Sequence, residues 1–368
     1  MLSRRQFAIS SGLLTASPLA LTGCISSGDG GDYQQAAAEV WRPPQQDVSN
    51  AALLRRELVR CATLAPSSHN TQCWTFAVSE QSISIHPDLS RRCPAVDPDD
   101  HHLYVSLGCA AENLVQAALA NGLQGEAVFQ TAPADVLKIN LLPTKPFASP
   151  LFKAISERQS TRAEFDGQPV SADDLSLLAL AGTGTGVGLL LLTEKPAMEK
   201  VLEYVVQGNT TQMNDPAFVA ELKAWIRFSD AEAVQTGDGL FSRTSGNPSV
   251  PRWLASPLFP AFFRTDSEND KYAKHVRSSA GIAIFVSKSN DKAHWIEAGR
   301  CYERFALQAT ALGIRNAFLN QPVEVSALRP QFANFLGIGD RRPDLVVRFG
   351  RGQEMPRSLR RPLQSVLL

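Results

Sequence analysis

Residues 108–123 read GCAAENLVQAALANGL, and residues 299–314 read GRCYERFALQATALGI. Gly108, Glu112, Ala118, Ala120 and Gly122 recur as Gly299, Glu303, Ala309, Ala311 and Gly313, at one offset of 191 residues throughout. Each stretch reads as a helix closed by its last glycine, which accepts the left-handed backbone that ends a helix. Val48-Ser49 and Val170-Ser171 each open a further helix that leads into a strand. Two matches in the same order point to a duplicated unit. The expectation is two similar halves packed across a pseudo-two-fold axis, a dimer written into one monomeric chain.

The pattern around these anchors alternates helix and strand. A helix is expected over 50–64 with Ser49 as its cap, then strands at 75–78 and 82–86. A helix over 104–121 and strands at 126–129 and 137–142 complete the first half. Pro143, Pro146 and Pro150 mark a boundary. Beyond it come helices near 171–181, 195–207 (ended by Gly208), 218–228, 293–312 and 325–335. Strands are expected at 188–192, 281–286, 316–319 and 345–349. No steady strand–helix–strand rhythm appears, so the fold class is α+β around a central antiparallel or mixed sheet. His101-His102 has no spaced ligand partner and reads as a solvated helix start.

Composition narrows the function. Lys and Arg total 36 and Asp and Glu total 36, so no basic excess holds a nucleic-acid backbone, and nucleic acid is not an expected partner. Six cysteines in 368 residues are too scattered for a disulfide framework or a structural zinc site.

The first residues read as an address. Arg4-Arg5 precedes a short apolar run, Phe7 to Thr22, broken by Pro18 and ending in Leu21-Thr22-Gly23-Cys24. The order fits a twin-arginine export signal over 1–23 and a lipobox that makes Cys24 the lipidated residue. Residues 24–47 then read as a flexible tether. The expected location is the periplasmic side of a bacterial envelope membrane, with the lipidated N-terminus as the membrane contact.

Three constellations carry the chemistry. Ala65-Pro66-Ser67-Ser68-His69-Asn70-Thr71-Gln72-Cys73-Trp74 gathers hydroxyls, an amide and backbone N–H groups in one turn, able to meet a planar polar ligand. Arg158-Gln159-Ser160-Thr161-Arg162 sets two guanidinium forks about a hydroxyl, a pattern suited to phosphate. From Arg341 to the end, seven arginines face Asp344 and Glu354, a local net of +5 that includes Arg360-Arg361-Pro362-Leu363. A basic tail of this kind also suits anionic lipid.

The first string resembles the APSSxNxQPW motif of the flavin-dependent nitroreductases, with Cys73 where that family has proline. The second is similar to the family's RxSxR segment, and Phe165 and Pro169-Val170 follow as they do there. The Arg360-Arg361-Pro362-Leu363 segment resembles the family's closing one. Ala311–Arg315 leading to Asn320-Gln321-Pro322 resembles the stretch that lies along the flavin, although Asn320-Gln321 replaces a usual Glu-Gly.

This resemblance implies a nitroreductase-like fold of halves 48–146 and 147–368 and one bound FMN. It implies Ser67, Ser68, Asn70, Arg158, Ser160, Arg162, Gln321, Arg360 and Arg361 as cofactor-binding residues. Thr183–Gly186 stands where the second half should repeat the serine-rich turn and lacks it, so one site should survive. That pattern is similar to the Acg-like branch, and residues 238–270 are the candidate lid. The implied activity is reduction of a small acceptor, such as a nitroaromatic or quinone, by an unspecified donor. The alternative is a flavin-holding lipoprotein with little turnover. No side chain is expected to act as a catalytic acid or base, and no metal is expected.

Overall fold

The computed structural model describes residues 29–368; the twin-arginine segment and Cys24 lie outside the described residues. The first element is α1 (Asp29–Val40). It falls within the expected tether and corrects it: Tyr33 is buried and donates its hydroxyl to the Arg357 carbonyl at 2.7 Å. Apolar residues at helical spacing give this stretch a face to bury.

The first half comprises α2 (Ala51–Thr63), β1 (Trp74–Val78), β2 (Ser82–Pro87), α3 (His101–Ala120), β3 (Leu123–Gln130), β4 (Val136–Pro143) and α4 (Pro150–Ala154). The cap of α2 is Asn50, whose side chain accepts from the Leu53 N–H, and not the expected Ser49. The four strands are antiparallel in the order β1-β2-β4-β3.

The second half opens with α5 (Ala172–Ala181), capped by Ser171 as expected, and β5 (Val187–Leu192). An insertion follows: α6 (Lys195–Met213), α7 (Pro216–Trp225), β6 (Ile226–Arg227), α8 (Asp230–Thr236), β7 (Leu240–Phe241), α9 (Arg252–Phe262) and α10 (Thr265–Arg277). The chain resumes with β8 (Gly281–Ser287), α11 (Lys292–Ala311), β9 (Arg315–Phe318), α12 (Gln321–Glu324), α13 (Arg329–Phe335) and β10 (Arg342–Gly350). Its antiparallel sheet runs β5-β8-β10-β9. In both halves the order is therefore first, second, fourth, third, with the long helix between the second and third strands.

The centre differs from the expected sheet. It is occupied by α3 packed on α11, with one sheet belonging to each half. Two glycines permit the approach. A Cβ on Gly108 would lie 2.0 Å from the Ile296 oxygen and 3.1 Å from the Arg300 nitrogen. A Cβ on Gly299 would lie 1.9 Å from the Val105 oxygen and 3.1 Å from the Cys109 nitrogen. Every pair in one set maps on the other at the offset of 191, so the two helices meet through equivalent atoms. The halves also exchange ends. The Phe76 N–H in β1 donates to Val366 (2.7 Å), and Leu368 N–H donates back to Phe76 (2.9 Å). The segment that follows α4 reaches the second sheet in the same way, Thr161 N–H donating to the Asn316 carbonyl within β9 (2.8 Å).

Two local expectations fail for packing reasons. Gly208 does not end α6, which runs on to Met213; its missing side chain lets Gln321 approach, where a Cβ would lie 2.7 Å from the Gln321 Cβ. His101 and His102 are not solvated, being 1% and 4% exposed inside the first turn of α3.

Candidate functional site

The turn after α2 is held in an unusual shape. His69, Asn70 and Gln72 all have positive φ (48°, 53° and 54°), a region that non-glycine residues enter at a cost. Side chains hold it there. The Ser67 hydroxyl accepts from Gln72 N–H (2.9 Å). The Asn70 amide donates to the carbonyls of Gly239 (3.0 Å) and Leu359 (3.2 Å). Gln72 donates to Gly237 (2.9 Å) and accepts from Arg361 N–H (2.8 Å). The turn is thus bound to the insertion on one side and to the C-terminal segment on the other.

This arrangement points Ser67, Ser68 and His69 into a cavity of about 700 Å³, a size typical of small-molecule sites. Its floor is the α3 face carrying His102, Val105, Ser106 and Cys109, and one wall is Ala317–Gln321. The insertion forms the roof, with Leu254, Leu258, Phe259 and Phe263 among its apolar side chains. Residues of the candidate lid, 238–270, line the cavity from β7, α9 and the first turn of α10.

Arg162 lines the cavity and has no carboxylate within ion-pair distance among the described residues. Burial alone lowers the pKa of its guanidinium. Arg348 lies beside it and is 1% exposed. It stacks over Phe165 at 4.2 Å and donates to the carbonyls of Thr161 (2.9 Å) and Ala163 (2.8 Å). Its pKa falls to about 9, by burial first and then by Arg162. His69 is pushed down to about 4 by burial and by Arg162, so it is a neutral imidazole at pH 7. Lys271 also lines the cavity. Glu268 and Glu324 line it too, so three cations face two carboxylates under an apolar roof, and the unpaired Arg162 is the group that favours a ligand with an anionic end and a large apolar body.

Of the nine sequence-derived residues, Ser67, Ser68, Arg162 and Gln321 line the cavity. The other five do not. The Asn70 amide is spent on the turn. Arg360 caps α2, donating to the carbonyls of Thr63, Leu64 and Ala65 (2.7, 3.0 and 3.1 Å) and to the Asn70 oxygen at 3.1 Å. These are the orphan carbonyls that every helix end leaves. Arg158 pairs with buried Glu303 (Nε to Oε1, 3.0 Å) and donates to Leu64 at 2.8 Å. Arg361 serves Gln72 and Ser365. Ser160 sits beside Asn316, and its buried Oγ has no partner.

An FMN-like group fits these residues in its chemistry. The unpaired Arg162 cation suits a phosphate. Buried polar atoms without partners on the cavity wall, His69 Nε2 and Gln321 Oε1, suit a ligand that supplies the missing bonds.

The pseudo-two-fold counterpart is closed. Ser106 and Cys109 on the cavity floor correspond to Glu297 and Arg300 on α11. There Glu112 accepts from Arg304 (2.9 Å) and Arg300 (3.3 Å), and Glu297 pairs with Arg300 at 3.0 Å. The Thr183–Gly186 turn lies against this network; a Cβ on Gly184 would be 2.2 Å from Glu297 Oε1. An ion-pair cluster occupies the place of a ligand.

Sequence reasoning missed three residues that line the cavity, Arg348, His102 and Tyr272 of α10. A lone arginine in the apolar β10 run was the available signal for Arg348. The donor atoms of Asp97, His101 and His102 lie within 4.8 Å of one another. Asp97 already accepts from the N–H groups of His102 and Leu103, and His101 Nε2 bonds Asp344 at 2.9 Å.

No family model matches the chain. Two Mycobacterium tuberculosis proteins are similar along most of their length. Rv3131 of strain H37Rv, whose name places it provisionally among NAD(P)H nitroreductases, is 25% identical over 328 residues, 85% of this chain and 90% of its own. The protein named acg, given the same provisional description, is 23% identical over 334 residues, 84% of this chain and 94% of its own. The chain is similar to the nitroreductases. Solved structures that resemble it include the FMN-dependent nitroreductase NfnB of Mycobacterium smegmatis in complex with NADPH. That match has 16% identity and a TM-score of 0.40, over 59% of this chain and 96% of NfnB. Another is a nitroreductase with bound FMN from Bacteroides fragilis, with 14% identity and a TM-score of 0.35, over 55% of this chain and 88% of that one.

Proposed function

We propose that this chain is an FMN-dependent oxidoreductase of nitroreductase type with one site per chain, exported by the twin-arginine route and held to the membrane through Cys24. The observation that carries the flavin reading is Arg162, a cation without a carboxylate partner on the wall of a roofed cavity. Arg162 would meet the phosphate, while Ser67, Ser68 and Gln321 offer hydrogen-bonding groups to the polar edge of the ring. Bound flavin supplies the hydride and electron transfer, which side chains cannot provide. The chain binds and orients it, and the aromatic roof keeps water away. The names of the mycobacterial relatives favour NAD(P)H as the donor class, with a small planar acceptor.

The second reading is flavin holding with little turnover, and the apolar side chains of α9 over part of the cavity favour it. Purified chain should be yellow, and heat should release FMN as identified by mass. FAD, or no flavin, would refute the cofactor. Steady-state reduction of quinones or nitroaromatics, with dithionite-reduced protein as a control, separates turnover from storage.

A further inference from the structure

The outer face of the roof is itself apolar. From Trp253 to Phe263 the sequence reads WLASPLFPAFF, eleven residues with one serine and no charge. On α9, Trp253 is 77% exposed, Phe262 76%, Leu258 44% and Leu254 41%, and no residue of the helix is buried. Leu254, Leu258 and Phe262 lie four apart and form one stripe. Pro257, Pro260 and Ala261 complete the exposed surface. A contiguous apolar surface of this kind on a water-facing helix marks an interaction site.

We propose that this face docks in the interfacial layer of a lipid bilayer. The packing of α1 supports lipid as the occupant. α1 packs on α8, and its Tyr33 ring stands 4.9 Å from Phe241, which lines the cavity. Arg252 at the start of α9 is ion-paired with Glu232 of α8. The N-terminal helix is thus built into the base of the roof. If Cys24 carries lipid, which rests on the function proposed above, only residues 25–28 separate it from α1, and the span from Cys24 to Asp29 reaches at most about 18 Å. The anchor then holds the roof side against the membrane.

The composition fixes the mode of binding. Arg252 is neutralised by Glu232, and Arg264 is followed by Asp266 and Glu268 on α10. Attraction to anionic lipid is therefore small, and apolar burial with aromatic residues near both helix ends drives docking. Leu254 and Leu258 belong to the exposed face and to the cavity lining at once. Moving α9 into the bilayer would open the cavity toward lipid.

The test uses the full chain reconstituted in zwitterionic vesicles with brominated acyl chains. Trp253 emission should be quenched, with Trp253→Phe isolating its share from the other tryptophans, and quenching should persist in high salt. Phe262→Asp should abolish quenching while circular dichroism and thermal unfolding stay unchanged. Unquenched Trp253 in the wild-type chain overturns docking whether or not Cys24 is lipidated, because the mass of the N-terminal peptide reports the anchor separately. Vesicle-free self-association that Phe262→Asp abolishes would also overturn it, since a second copy would then be the occupant.

Discussion

Arg158→Ala and Arg162→Ala should fail in different ways, although the two residues sit four apart in one motif. Arg162 has no anionic partner among the described residues, so its removal takes away a half-buried cation that folding must partly desolvate. Apo-protein stability should stay level or rise. Its value would lie in the ligand: a charge-assisted hydrogen bond to phosphate contributes about 1.5–3 kcal/mol, or roughly 10- to 150-fold in affinity. Arg158 is 2% exposed, and Glu303 opposite it is fully buried. Removing one member of a buried pair typically costs about 3–5 kcal/mol, because the other is left uncompensated.

Glu303 modulates that cost. Burial outweighs Arg158 and raises its carboxyl to about 7. Removing Arg158 takes away the charge that holds this carboxyl down, so in the variant the pKa of Glu303 rises further. It then takes up a proton at pH values where the wild type keeps a carboxylate paired with Arg158, and the cost grows as pH rises above about 7. Arg158→Ala should therefore be milder at pH 6 and harsher at pH 8. Guanidinium unfolding of both apo variants at the two pH values, with FMN titration followed by flavin fluorescence, measures every quantity. Flavin loss from Arg158→Ala at unchanged apo stability, or equal destabilisation by both variants, would refute the assignment.

Gly299→Ala should destabilise the chain by at least about 1–3 kcal/mol, because its Cβ would meet a backbone carbonyl at 1.9 Å across the α3–α11 contact; an unchanged melting temperature would count against the helix pair as the rigid centre. Gly108→Ala should behave alike, by the symmetry of that contact. Glu303→Gln should gain stability over the wild type as pH rises from about 4.5 to 7, since a carboxyl raised on folding binds more protons folded than unfolded, and its contribution falls across that window. A pH series of melting temperatures for the two proteins would show a constant offset if Glu303 titrates normally. Apo-protein titrated with FMN should bind one equivalent per chain, and two equivalent sites would contradict the closed counterpart around Glu297 and Arg304.

The duplication was legible because both long helices keep the same glycine and glutamate spacing, and these positions answer to helix contact and charge burial. Most element positions followed from periodicity and capping. The centre was not legible: alternation along a strand shows that one face is buried but not whether a sheet or a helix pair lies in the middle. The motif residues were legible as a group but not in their roles. Arg360 and Arg162 look alike in sequence, yet one closes the end of α2 and the other faces the cavity. That division depends on where carbonyl groups converge after folding, which residue spacing does not encode. No helix was expected within 238–270 because prolines at 257 and 260 argue against one, but α9 forms around them on a surface where packing demands are weak.

One feature of the duplicated fold follows from its asymmetry. Two equivalent surfaces flank the α3–α11 pair, and in each the long helix supplies the floor. On one side that floor is small and sparsely charged, with Val105, Ser106 and Cys109, and the insertion in the second half roofs it. On the other, Ile296, Glu297 and Arg300 occupy the same steps, and Glu112 and Arg304 complete a charged network. A cavity there would expose paired charges to a low-dielectric space, so the Thr183–Gly186 turn lies directly on the network instead. Glu303 and Glu112 are equivalent in sequence, yet Glu303 faces the buried Arg158 and Glu112 faces two partly exposed arginines of α11. The same residue thus anchors the motif beside the open site in one half and helps to seal the lost site in the other. A single chain can divide these tasks between its halves; a homodimer, whose subunits share every residue, cannot.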